Sequence, residues 1–232
     1  MAGDFWLVKC ERVMGQIRTF RLATLAVKLG QASLRSDNFL NQPNHDRITS
    51  MLVTFLGSPQ SGKTTTAAMT FASLKQNHVV AEFVLEQARF KIAVKRFTTG
   101  SSQLTPEDQM SIFANQILHE TVMATGSSSV VISDSSPINN LIYLEDWKSD
   151  TQRLKGIEVY LKTMKPLIFL CHPIDDPSKL VDANRIHSLE ESLVLHQKFK
   201  EILEHLKIQP VPVHGDPGQR LATVLQEVYD CL

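Results

Sequence analysis

Cysteine is scarce in this chain: Cys10, Cys171 and Cys231 are the only three in 232 residues, they lie far apart, and no C-x-x-C occurs. That counts against a disulfide framework and against a zinc site, and it fits a reducing compartment. An excess of either charge is also missing. Lys and Arg total 24, Asp and Glu total 24, and the formal net charge is zero. The whole chain therefore carries no electrostatic footprint for nucleic acid, which leaves open only a local basic groove. No apolar run reaches the length of a transmembrane helix, so no membrane association is expected. Internal repeats and low-complexity tracts are absent too. What remains is the composition of an ordinary globular protein, long enough for one α/β domain and its core.

The chain divides near residue 50. From Arg12 to Ser36 there is no acidic residue, while Arg12, Arg18, Arg21, Lys28 and Arg35 recur and Ile17, Phe20, Leu25 and Leu29 follow a loose helical period. Ser36 to Ser50 is polar, contains Pro43 and reads as a linker. This leader has three readings: an organelle targeting peptide, a partner-binding helix, or a dispensable extension, even one created by too early a start codon. Asp4 and Glu11 count against targeting. Dispensability is favoured because Met51 directly precedes the first strand signal. The division is thus 1–50, extension, and 51–232, domain.

From residue 51 strand and helix signals alternate. Strands are expected at 51–56, 78–84, 128–133, 165–171 and 209–213. Helices are expected at 62–75, 86–96, from Pro106 to about residue 123, around 138–163, at 188–206 and from Pro217 onward, Pro106 standing at the favoured first helical position. Such alternation predicts a doubly wound, parallel, five-stranded α/β sheet covered on both faces.

Between the first strand and helix lies Gly57-Ser58-Pro59-Gln60-Ser61-Gly62-Lys63-Thr64, a full match to G-x-x-x-x-G-K-[ST]. Glycines let the backbone wrap closely, and the helix that starts there turns its positive end toward the phosphates of a bound nucleotide. Lys63 is expected on the β/γ-phosphates, Thr64 on Mg²⁺, and Thr65 completes the binding segment, with ATP and Mg²⁺ as cofactors. A second signal is Val130-Val131-Ile132-Ser133-Asp134, an apolar strand ending in an acid. Ligands of parallel sheets sit at the carboxyl ends of strands, so Asp134 is a candidate metal ligand, direct or through water. The alternative for Asp134 or Ser136 is a plain cap on the helix after Pro137.

Taken with Glu86-Gln87-Ala88-Arg89 after strand two, and Asp134-Ser135-Ser136-Pro137 with Tyr143 after strand three, residues 51–232 resemble the NadR-like P-loop kinases and ATPases. Many of these are phage-encoded, and they are relatives of nicotinamide riboside and deoxynucleoside kinases and of phage kinases acting on modified DNA. The resemblance implies ATP-dependent transfer of a phosphoryl group to a hydroxyl of a nucleoside-like acceptor, with DNA as one acceptor, in the cytoplasm of the cell or of a phage host. It implies Glu86 as base or orienter toward the acceptor, with Glu82 next in line, and Arg89 as a phosphate or substrate ligand. Without the resemblance, Glu86 and Arg89 read as a surface pair at i,i+3. It implies base-edge recognition by Gln109 or Gln116 and stacking on Phe113, against which stands simple core packing. It also implies a lid over 172–187, in which Arg185, with Lys179 and Asp182, supports the transition state, and an adenine-side turn at His214-Gly215-Asp216-Pro217. One departure is the absence of Arg after Asp134, where deoxynucleoside kinases carry Asp-Arg-Ser. The rival reading is a nucleotide-dependent switch acting on a partner.

Overall fold

The computed structural model describes residue 48, residues 50–174 and residues 188–232. Five strands form one sheet: β1 (Met51–Leu56), β2 (Ala81–Val84), β3 (Val130–Ser133), β4 (Leu167–Cys171) and β5 (Val211–Val213). Their spatial order is β2-β3-β1-β4-β5 and every pairing is parallel. The α-helices between them are α1 (Lys63–Gln76), α2 (Gln87–Thr99), α3 (Pro106–Ala124), α4 (Thr151–Met164), α5 (Leu189–His205) and α6 (Pro217–Cys231).

Side chains alternate across β1, as a strand's two-residue period requires. Val53 and Phe55 enter one core with Ala67 and Leu74 of α1 and Val224 and Val228 of α6. Leu52 and Leu56 face the other side, where α3, α4 and α5 supply Phe113, Ile157, Phe199 and Ile202. Both sheet faces are thereby dry, which is why the strands read as near-continuous apolar runs. The doubly wound parallel expectation holds.

Two local expectations are revised, and the core-packing alternative for Gln116 and Phe113 holds. The single helix around 138–163 is broken into 3₁₀ turns at Pro137–Tyr143 and Trp147–Ser149, followed by α4. The carboxylates of Asp146 and Asp150 stop and restart the chain there, accepting from the amides of Ser149 and Arg153. The second strand begins at Ala81 rather than 78, because the chain through Val79 closes α1: His78 is at φ 61°, and the Val79 amide donates to the Leu74 carbonyl at 3.0 Å. Finally, Gln116 and Phe113 face inward, buried at 3% and 7% exposure.

Residues before Met51 also belong to the packed unit. Ile48 packs on the core beside Leu52, and the Ser50 hydroxyl donates to the Ser128 carbonyl at 2.6 Å. We therefore propose 46 rather than 50 as the end of a dispensable segment. We expect a chain beginning at residue 47 to match the melting temperature and nucleotide affinity of the full chain. Beginning at Met51 instead should cost about 2–4 kcal/mol, for the Ser50 hydroxyl's bonds to Ser128, the Ser50 amide's bond to the Ala124 carbonyl and an apolar contact. Thermal melts of the two truncations check this.

Candidate active site

Leu56 ends the central strand, and the backbone then turns through Gly57 at φ 148°. A Cβ at Gly57 would lie 2.5 Å from the Ser61 hydroxyl and 2.6 Å from the Cys171 carbonyl, so only glycine fits where the loop passes β4. Gly62, at φ 77°, hands the loop to α1, whose first residue is Lys63. The Lys63 ammonium donates to the carbonyls of Gly57 at 2.8 Å and Ser58 at 3.1 Å, so its charge lies along the loop.

The loop is pinned from two distant elements. Ser192 of α5 donates its hydroxyl to the Pro59 carbonyl at 2.6 Å and lies 2.9 Å from the Ser58 hydroxyl. Arg220 of α6 donates to the carbonyls of Ser61 at 2.7 Å, Gly215 at 2.7 Å and His172 at 3.0 Å. Arg220 is buried, and its cation ties the loop to the ends of β4 and β5. Neither residue was singled out in the sequence, since 134 and 159 positions separate them from their loop partners. Replacing Arg220 by Met would leave three carbonyls without this donor. At about 1 kcal/mol each the loss is about 3 kcal/mol, or a melting-temperature drop of about 6–12 °C for a domain of this size. A variant melting within 2 °C of the parent would show that the anchor is redundant.

At the other side of the loop, register brings three chemistry-bearing residues together. Val84 of β2 pairs with Ser133 of β3, which pairs with Thr54 of β1. Asp134 therefore follows directly beyond the central ladder, its amide donating to the Val84 carbonyl at 3.0 Å. Asp134 is 2% exposed, and burial pushes its carboxyl up to about 6, with a hydrogen bond to the Thr64 side chain pulling the other way. Its Oδ1 is buried without a hydrogen-bond partner. Arg89 donates from Nη2 to Thr64 Oγ1 at 3.3 Å and lies 3.8 Å from the Glu86 carboxylate. Glu86 in turn is close enough to raise Asp134 and, with burial, the Tyr143 phenol. Glu86, Arg89, Asp134 and Thr64 thus form one cluster at the carboxyl edge of the sheet.

Other sequence candidates fall elsewhere. Gln109 receives the Asn140 side-chain amide on its Oε1 at 2.8 Å. Glu82 is exposed within β2. The Gln116 amide is engaged internally, by Glu120, Ser133 and the Gln87 backbone, which removes it as a reader of a base edge. Lys179, Asp182 and Arg185 lie outside the described residues. His214 stacks on His172 with ring centroids 3.7 Å apart, and Asp216 caps α6. Burial and neighbouring cations push His172 down to about 4.

A loop of this sequence, left-handed at Gly62, opening a helix beyond the central strand of a parallel sheet, is a phosphate cradle. A family described as AAA domain matches residues 52–220. The chain belongs to that family. This AAA-domain chain is similar in fold to a NadR protein solved in complex with NR, at 21% identity and a TM-score of 0.58, over 78% of this chain and 51% of that one. It is similar as well to a NadR protein solved in complex with NAD and AMP-PNP, at 18% identity and a TM-score of 0.55, over 87% and 57%. The chain spans little more than half the length of those structures. No curated protein sequence matches it. Among its described residues no helix is long and apolar enough to cross a membrane. The AAA-domain chain is thus a nucleotide-binding P-loop protein that shares its fold with part of those NadR structures.

Proposed function

We propose that this chain transfers the γ-phosphoryl group of ATP to a hydroxyl of a nucleoside-like acceptor. The observation that carries the reading is the cluster of Glu86, Arg89 and Asp134 around Thr64, on the side of the loop away from its anchors. A phosphate cradle alone needs no such cluster. Transfer to an acceptor needs a carboxylate and a cation beside the reacting phosphate.

In this reading Lys63 and the backbone amides of 57–65, except at Pro59, hold the phosphates. Thr64 and Asp134 offer oxygen ligands suited to Mg²⁺, and the partnerless, buried Oδ1 of Asp134 fits such a role. Mg²⁺ would neutralise charge on the β/γ-phosphate oxygens. Glu86 orients the acceptor hydroxyl and takes its proton as the new P–O bond forms and ADP leaves. Arg89 faces the transferring group, and Arg185 is assigned to the transition state from the sequence alone. The NR of one structural neighbour, and the NAD and AMP-PNP of another, support a nucleotide donor and a nucleoside-like acceptor.

The test is incubation with γ-labelled ATP against separate pools of nucleosides, mononucleotides and modified DNA. Label appearing in one pool names the acceptor class. ATP hydrolysis with no labelled product in any pool would overturn the kinase reading in favour of a nucleotide-dependent switch.

A further inference from the structure

Glu120 is the least expected residue of the core. It sits on α3 with no solvent exposure, beside Tyr160, where an ionisable side chain costs stability unless its hydrogen bonds are met. Its Oε1 accepts from Gln116 Nε2 at 2.8 Å and from the Ser133 hydroxyl at 2.7 Å. Gln116 Nε2 also reaches the Ser133 oxygen at 3.0 Å, closing a triangle. Burial pushes the carboxyl up to about 7, and the nearby Tyr160 hydroxyl with the bonds from Gln116 and Ser133 opposes that; Oε2 itself has no hydrogen-bond partner.

The triangle settles which way the Gln116 amide points. Both acceptors available to Nε2, Glu120 and Ser133, lie on one side, so the carbonyl end must face the other way. There Oε1 accepts the backbone amide of Gln87 at 3.2 Å. Gln87 is the first residue of α2, and Glu86 is its N-cap without a side-chain cap of its own. A first-turn amide of a helix has no partner within that helix, and here a side chain from another helix supplies it. Ser133 directly precedes Asp134. The same buried carboxyl is therefore tied to the start of the helix bearing Glu86 and Arg89 and to the strand end bearing Asp134.

We propose that Glu120 is a positioning residue: through Gln116 and Ser133 it sets the start of α2, and so the placement of Glu86 and Arg89 against the Thr64–Asp134 side of the cradle. This rests on the reading of Glu86 and Arg89 as acceptor-side groups. Mere core stability would be served as well by an apolar side chain. Positioning requires one carboxylate and one amide across positions 116 and 120, because that pairing keeps an oxygen of residue 116 turned toward Gln87.

The experiment is amide hydrogen exchange on the full chain, with steady-state kinetics on the acceptor found in the labelled-ATP assay. In Glu120→Gln the new amide group competes for the same partners. Exchange at Gln87 should quicken about tenfold, the size expected for one lost hydrogen bond, while exchange within α1 is unchanged. Acceptor kcat/KM should fall about tenfold with ATP affinity unaltered. The exchanged pair Glu120→Gln/Gln116→Glu moves the carboxylate one helical turn, where it accepts from Gln87, Ser133 and the residue-120 amide together. It should restore both readouts to within about twofold. If Glu120→Gln does not fold, Gln116→Met removes the same acceptor and should show the same exchange at Gln87.

Unchanged exchange at Gln87, a swapped pair no better than the single variant, or quickened exchange with untouched acceptor kinetics would each overturn the proposal. Exchange needs no acceptor, so a chain that phosphorylates nothing still tests the network. Failure of the kinase reading and failure of this inference are thereby distinguishable.

Discussion

Lys63→Ala should weaken ATP binding by about 10²–10⁴-fold, measured by titration calorimetry, and leave the fold intact. Lys63 occupies the first position of α1, where the helix's unpaired amides make a positive end. A cation there gains nothing from the helix. Its two bonds run to the carbonyls of Gly57 and Ser58, both buried residues, while Lys63 itself is half-buried. Facing phosphate, the same ammonium makes charge-assisted bonds, each worth about 1.5–3 kcal/mol. Two of them give the stated range at about 1.4 kcal/mol per tenfold. The melting temperature without nucleotide should fall by about 4–8 °C, at about 1 kcal/mol for each of the two carbonyls, and the fold should survive because the loop's shape depends on Gly57, Ser192 and Arg220. Unchanged ATP affinity in a folded variant would remove the phosphate assignment.

Glu86→Gln should lower phosphoryl transfer by about 10²–10⁴-fold, the usual contribution of general acid–base catalysis. A loose phosphoryl-transfer transition state asks less of a base, which points to the lower end of that range. ATP affinity should hold, because Glu86 pairs with Arg89, which in turn donates to Thr64, while the phosphates are held by the loop and Lys63. The Glu86–Arg89 pair is 3.8 Å apart with Arg89 largely exposed, so its loss costs little stability. Single-turnover transfer and ATP titration on the same preparation separate the two effects. Transfer at the parent rate would reduce Glu86 to a partner of Arg89 and bring Glu82 forward.

Much of this molecule was legible before any coordinates. The cradle from Gly57 to Thr64 is local: its function depends on a turn, a helix start and a few residues in a row. The strands were legible because a parallel sheet dry on both faces needs unbroken apolar runs such as 51–56 and 130–133. The strand that starts at Ala81 and the helix broken after Pro137 were less so. Their limits depend on helix-closing hydrogen bonds at Val79 and on aspartate caps at 146 and 150, which short polar residues can make or leave unmade.

Which residues meet was a different matter. Glu86 and Asp134 are 48 positions apart in the chain, and the Val84–Ser133 register alone sets them side by side. Gln109 and Gln116 share a helix face by spacing, yet one pairs with Asn140 and the other closes a buried triangle with Glu120 and Ser133. Arg220 could have been a solvated helix cation, but the packing of α6 on β5 and the loop turns it onto three carbonyls. The sequence by itself determined the α/β class, the cradle and the strand-end acid, because each depends on short-range backbone geometry or on a two-residue hydrophobic period. Tertiary structure alone decided the anchors, the Glu86–Asp134 approach and the burial of Glu120, because those depend on strand order and long-range packing, which residue spacing does not encode.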